Sequence, residues 1–508
     1  MTQQPLPSTD INEERDIIAY NASYSFAGAI ADYLITFFVG VLLARFLGSV
    51  NYGLYSLAIT IWATFVTLSS FGINGIVQYG SAKYKALEKH QHFKWTIEHY
   101  LYLMIAISII LSIVMFALAG PIAEIYKQPQ LKLLLEILAF GLTFYTLTGQ
   151  FSRSIFSGYQ KLKYTFVSKL TFDVLRLTQI AVLFLGLGLL GVIEIYPLIY
   201  IITGIISLYL VYRLIKPIKT KAAPPEEDIK ELRKYGLFTY TGSLISLLYS
   251  NLIIILLGAV APSVSYVAYY RAALIVASLL SAPAAAISGA FFATTTKLFI
   301  RNEYEKLYSL QKDIVRYATA LTSPLVFGSI AFASPIVTIL YHSEYLGAVW
   351  PFIIIVTSVL ITTIFAPLTV VLGAIGKQKY VMYSTVASAI TGVVSSAVLI
   401  PLFASNGAAI TYFLIVMAGL GSNLLFTRKY IHIKLPVVPI LKTFAVSLVM
   451  IGIDMFLYKK FPTHFDLIFV LIFGLIVYFF LILLSGAIKR KDLIFIAHIF
   501  GLNKYIKF

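Results

Sequence analysis

Apolar stretches of about twenty residues follow one another almost without a pause along this chain, and that pattern fixes its solvent as lipid. A bilayer core is about 30 Å thick, and a helix rising about 1.5 Å per residue needs about twenty apolar residues to cross it. Spans are expected near residues 17–44, 54–73, 96–118, 131–151, 164–186, 190–212, 236–258, 265–290, 315–334, 350–372, 380–402, 406–427, 437–457 and 466–486. Only 12% of residues are charged, where a soluble domain carries about 25%. The expected fold class is therefore all-α integral membrane, with about fourteen transmembrane helices.

The residues between spans orient the chain. Lysine and arginine concentrate in alternate connections: Lys83 to Lys94, Lys161 to Lys169, Arg213 to Lys234, Lys297 to Arg316, Lys377 with Lys379, Arg428 to Lys442, and the tail from Lys489. The other set holds little beyond Arg45, Lys127, Lys132, Lys459 and Lys460. Because basic loops stay on the cytoplasmic side, both termini are expected there, in a multi-pass protein of the cell membrane. The net charge of +17 follows from this topology and from anionic membrane lipids, so nucleic acid is not an expected partner. The polar, acidic start MTQQPLPSTDINEERD does not read as a cleaved signal. Asp10 with Glu13 reads as a capping box opening an interfacial segment at 1–16. With no cysteine, the chain has no disulfide, thiolate metal site or cysteine nucleophile.

A polar stretch at 213–235, with Pro217, Pro224 and Pro225, reads as a cytoplasmic linker between six-helix lobes at 17–212 and 236–427. Two further helices are expected in 428–488, then a cytoplasmic tail at 489–508. The lobes look like copies. SVNYGLYSLA at Ser49–Ala58 recurs as SVSYVAYYRA at Ser263–Ala272, and LKYTFVSK at Leu162–Lys169 recurs as QKYVMYST at Gln378–Thr385. The two matches share nearly one offset, which argues for duplication. An even number of spans per copy gives parallel lobes around a central cavity.

ARFLGSVNYGLYSLA at Ala44–Ala58, FGINGIVQYGSAKYKA at Phe71–Ala86 and FSGYQKLKYTF at Phe156–Phe166 resemble, in order, signatures of the polysaccharide exporters, the O-antigen and teichoic-acid (Wzx-type) flippases. Asn51 departs from that pattern, where an acidic residue is common. The resemblance implies two rocking bundles that export a polyprenyl phosphate or pyrophosphate oligosaccharide for cell-surface polysaccharide assembly. The implied partners are that anionic lipid-linked glycan, membrane lipids, and glycan polymerase or transferase machinery. Related lipid-linked peptidoglycan precursor flippases also have fourteen spans. Multidrug extruders of the same superfamily have twelve.

A charge at mid-bilayer costs roughly 2.5–3.5 kcal/mol, so each ionisable residue within a span needs a reason. Asp32 falls near mid-membrane in the first span and could bind a coupling proton or sodium ion, as the resemblance to the extruders implies, or be neutralised by a neighbouring cation. Asp173 and Arg176, three apart in the fifth span, are expected to form a structural ion pair. Arg271 has no acid within one turn and is the first choice for holding a substrate phosphate, with snorkelling to the interface as the competing explanation. Arg45 is second, or an interfacial anchor. Tyr269 and Tyr270, with Tyr52, Tyr55 and Tyr266, could stack on sugars or form an aromatic belt, and Lys83 and Lys297 could attract a diphosphate or anchor their spans. Pro197, Pro283, Pro324 and Pro367 fall inside spans as hinges or static kinks.

Several classes of function lack their residues. GAIGKQK at Gly373–Lys379 has the wrong spacing for a phosphate loop, and neither HExxH nor a His and carboxylate cluster is present. His342 and Glu344 in one short outer loop are an isolated pair. The expectation is a transporter and not an enzyme, without a cofactor beyond a coupling ion. A cation-coupled small-molecule antiporter is the alternative, and a membrane-embedded glycosyl transferase or glycan polymerase the alternative from another class.

Overall fold

The computed structural model describes residues 11–431, 435–460 and 464–487, and among them every regular element is a helix. Asp10 of the expected capping box and the tail at 489–508 lie outside the described residues. In chain order the helices are α1 (Ile11–Ser69), α2 (Ile73–Ala86), α3 (His90–Ile125), α4 (Pro129–Tyr145), α5 (Arg153–Gly158), α6 (Leu162–Arg176), α7 (Thr178–Phe184), α8 (Gly188–Ile215), α9 (Glu226–Ser250) and α10 (Leu252–Val260). They continue with α11 (Ser265–Ile300), α12 (Tyr304–Ala331), α13 (Ala333–Tyr341), α14 (Val349–Ala374), α15 (Gln378–Thr427), α16 (Val437–Lys460) and α17 (His464–Leu484). A π-helical turn, Thr146–Ser152, joins α4 to α5.

Among the described residues, eleven helical stretches are long and apolar enough to cross a bilayer. Two of these, Gly28–Ser69 and Gln378–Thr427, each contain two expected spans. They are divided where Gly48 (φ 75°) and Ala404 (φ 46°) leave helical geometry. The pair α6 and α7 supplies the fifth span, so each of the fourteen expected spans has its helix. The second span ends at Ser69, short of the expected 73, because the chain turns at Phe71 and Gly72, both at positive φ, before it resumes as α2. Pro197, Pro283, Pro324 and Pro367 all sit inside continuous helices, and the sharp breaks fall elsewhere. Helices survive proline when another group takes the freed carbonyl. At Pro324 the carbonyl left without its donor is that of Ala320, and the Tyr478 hydroxyl donates to it at 2.7 Å.

The chain packs as two compact units, one of residues up to Leu47 with Leu54–Ile255, the other of Gly48–Gly53 with Leu256 onward. The division falls inside α10 and not at the linker expected at 213–235. Glycine contacts explain why α9 stays with the first unit. A Cβ on Gly72 would stand 2.7 Å from the Gly236 carbonyl oxygen, and one on Gly75 would stand 2.0 Å from Thr239 Oγ1. Small residues let helix backbones approach closely, which is how helices associate where lipid offers no hydrophobic drive. The first unit's core joins Ile76, Phe93, Phe151, Phe156 and Leu232 from α2, α3, the π turn, α5 and α9.

The second unit includes the short segment Gly48–Gly53 because both beginnings of the sequence repeat meet there. A Cβ on Gly53 would lie 2.3 Å from the Val264 carbonyl oxygen, and Ser49 Oγ is 3.4 Å from Ser265 Oγ. Around each unit the outward residues are large and apolar. Ile113 on α3 is 64% exposed and Phe469 on α17 is 70% exposed, as lipid-facing side chains must be.

Candidate functional site

In the first unit, charged side chains gather on α1, α5 and α6. Lys169 Nζ lies 3.0 Å from Asp32 Oδ2, so Asp32 has the neighbouring cation that was one of its two readings. The Asp173 carboxyl, 1% exposed, lies in the field of Asp32, Arg176, Lys169 and Arg153. The expected Asp173 and Arg176 ion pair does not form: among the described residues neither has an oppositely charged group within 4.0 Å. Arg176 is the last residue of α6 and its side chain turns toward α1, where Nη1 donates to Thr36 Oγ1 at 3.3 Å. The guanidinium carbon stands 5.7 Å from the Phe172 ring centre, and Nε has no hydrogen-bond partner.

Three cations thus face two acids, and this interior carries a net positive charge. Its wall is aromatic. Trp62 stacks on Tyr200 at 5.0 Å, Tyr200 stacks on Phe172 at 5.7 Å, and the Tyr55 and Tyr196 hydroxyls share a hydrogen bond. The amide of Gln179, one turn beyond Arg176, is fully buried with both polar atoms unpartnered. A buried amide without partners is uncommon.

Lys83 is already engaged. Its amine lies 3.0 Å from Asp228 and also pairs with Glu231, which accepts a further hydrogen bond from Tyr79. Burial alone would lower the affinity of the amine for its proton. The hydrogen bonds to Glu231 and Asp228 outweigh that and hold it above its ordinary value. The cluster clasps α2 to the charged first turns of α9.

In the second unit, Arg271 stands six residues into α11 and is half-buried, with no ion pair or side-chain hydrogen bond among the described residues. Tyr270 beside it is 1% exposed and belongs to the core, whereas Tyr269 is partly exposed and packs on Tyr266 and Tyr345 at 5.7 and 5.9 Å. Lys297 is exposed in the last turn of α11, and Arg45 is half-buried three residues before the Gly48 break. The structure keeps Arg45, Asp32 and Arg176 in the first unit and Arg271, Tyr269, Tyr270 and Lys297 in the second.

Three residues passed over or set aside in the sequence have defined settings. Glu344, exposed in its loop, accepts from the backbone N–H of Ser49 at 3.3 Å and caps the helix that restarts after Gly48. Arg153 opens α5 beside the π turn, with its Nε buried and unpartnered. Asp454 on α16 is wholly buried, and neither carboxyl oxygen has a partner. It stands near the end of an expected span, four residues before Tyr458, Lys459 and Lys460, where the sequence alone reads as interface. Among the described residues, no group of three or more metal-ligating side chains is assembled.

The fold has solved counterparts. A lipid II flippase, MurJ, in an inward closed conformation superposes with a TM-score of 0.73, covering 94% of this chain and all of that one, at 18% identity. An inward-facing multidrug resistance MATE family transporter of the MOP superfamily superposes with a TM-score of 0.62, at 14% identity. That match covers 78% of this chain and 93% of the transporter. A MATE crystal structure in a bent conformation gives a TM-score of 0.55 at 16% identity, over 82% and 95% of the two chains. No curated protein matches the sequence. Residues 18–299 match the polysaccharide biosynthesis protein family, and with more than half of its length inside that match the chain belongs to this family.

Proposed function

We propose that this protein is a flippase for an anionic, lipid-linked oligosaccharide, a polyprenyl phosphate or pyrophosphate glycan moved across the cell membrane for surface polysaccharide assembly. The observation that carries the reading is that Arg176 and Arg271 sit within the helical units without a carboxylate within 4.0 Å among the described residues. Cations held inside helices at a cost of about 2.5–3.5 kcal/mol each are retained for a partner, and a phosphate matches guanidinium geometry. Family membership supports glycan assembly as the setting, and the fold shared with a lipid II flippase supports a lipid-linked cargo.

Each unit supplies one such arginine, and alternating access exposes the headgroup first to one side of the membrane and then to the other. Both termini are cytoplasmic in this reading, and glycan polymerase or transferase machinery consumes the product outside. Asp32 supplies ion coupling only if a proton or sodium ion displaces Lys169 from it. Asp32→Asn with unchanged dependence on imposed ion gradients would remove that role.

The test uses liposomes containing only this protein and a fluorescent prenyl diphosphate oligosaccharide, with transfer read by access of a quencher to the outer leaflet. The expected result is protein-dependent transfer of the diphosphate and none of the phosphate-free analogue. No transfer of several such glycans under imposed proton and sodium gradients would favour a cation-coupled small-molecule antiporter.

A further inference from the structure

Asp454 belongs to none of the features used above. It lines a cavity of about 150 Å³ formed by α16, α12 and α17, with single side chains from α11 and α13. The carboxyl lies directly against the backbone of Gly474 on α17, where a Cβ would stand 2.1 Å from Oδ2. From α12 the facing residues are Pro324, Leu325, Gly328 and Ser329, from α11 Leu280 and from α13 Ile336, and none of these titrates. On α17 the titratable neighbour is Tyr478, one turn along from Gly474, whose hydroxyl is committed to the Ala320 carbonyl. On α16 itself Tyr458, also one turn away, packs its ring on Phe332.

A bare carboxylate in such surroundings is unfavourable by several kcal/mol, so the group must carry a cation in this arrangement. Among the described residues, Ser329 is the one other lining side chain that offers an oxygen, while hard metal ions collect about six oxygen ligands. A proton needs one. We propose that Asp454 is a proton-binding site: the carboxyl takes a proton from water entering the cavity when α16 and α17 are docked on α12, and returning that proton to water loosens the pair. The proline-freed carbonyl of α12 is held by α17 through Tyr478, so docking and proton occupancy meet on one segment of α12.

The test is independent of any cargo. Infrared spectra of the full chain in lipid at pH 7 are compared for wild type and Asp454→Asn, following the protonated-carboxyl C=O stretch. The expected difference is one such band, present in wild type, lost in Asp454→Asn, moved in frequency in Asp454→Glu, bleached by alkaline titration and indifferent to sodium chloride. Thermal unfolding should agree: wild type loses midpoint temperature as pH rises from about 4, where the unfolded carboxyl ionises, up to the bleaching range, because only the unfolded chain gives up the proton in that window, and Asp454→Asn lacks that loss. A difference spectrum showing only carboxylate bands at pH 7, or a protonated band erased by sodium at constant pH, overturns the proposal. If Asp454→Asn does not fold, the Asp454→Glu frequency shift decides it alone.

Discussion

Asp173 and Asp454 are both carboxyls shut away from solvent inside a helical unit, at 1% and 0% exposure, yet their surroundings are opposite. Asp173 shares its interior with Arg176, Lys169, Arg153 and a second acid. Asp454 meets hydrocarbon, one serine and a glycine backbone. In a low-dielectric interior, what a carboxyl can do is decided by the charges around it: neighbouring cations favour its ionised form, and isolation favours its neutral one. The first arrangement suits an anionic cargo, and the second suits a proton.

Steric change should give the largest effect. Gly474→Leu drives a side chain into the Asp454 carboxyl and should destabilise the docking of α17 by about 3 kcal/mol, seen as a lowered unfolding midpoint. Gly452→Leu on α16, with nothing within 4 Å of its Cβ position, should be near neutral, and equal effects would show that the Asp454 cavity is not tightly packed. Next comes Asp173→Asn. Removing one of two acids facing three cations should tighten binding of a diphosphate headgroup several-fold, on the order of 1 kcal/mol at the effective dielectric of such sites. Weaker binding in a ligand titration would mean that Asp173 orders the arginine and does not merely oppose it.

Glu344→Gln removes the charged acceptor at the helix restart after Gly48 and should cost about 0.5–1 kcal/mol of thermal stability. The smallest effect is expected at the α2 and α9 clasp, where Lys83→Met should cost about 0.3 kcal/mol, since its partners are partly exposed. The pH dependence has a definite sign. An amine held above its ordinary value gives its full stabilisation below the unfolded value near 10.4 and loses it only as pH climbs through the higher folded value. The difference in unfolding midpoint between wild type and Lys83→Met should therefore stay flat from pH 7 to about 10, and a fall within that window would show the clasp to be weaker than its geometry implies.

The spans were legible because a membrane helix writes its length into hydropathy, and the repeat was legible because Ser49–Gly53 and Ser263–Val267 are physically matched segments, now seen touching. Arg271 stood out as a lone cation. The ion pair at Asp173 failed because helical spacing brings two residues to one face but does not choose where a long arginine ends, and Thr36 on another helix captured it. Asp454 escaped notice for a different reason. Its burial is created by packing against α12 and α17, while the next charged residues along the chain, Lys459 and Lys460, mark it as a residue of the interface. Local pattern reports which helix a charge rides on, and tertiary packing decides whether it meets water, a partner or neither.

In the proposed flippase, cations without carboxylate partners handle the cargo, while the paired Lys83 serves the fold. The most direct measurement is the liposome translocation rate of the prenyl diphosphate oligosaccharide for Arg176→Ala, Arg271→Ala and Lys83→Met beside wild type, each first shown to be folded by its unfolding midpoint. Each arginine variant should slow transfer by about tenfold or more, the worth of a charge-assisted hydrogen bond, while Lys83→Met should stay within about twofold of wild type. Wild-type transfer by both arginine variants would contradict it.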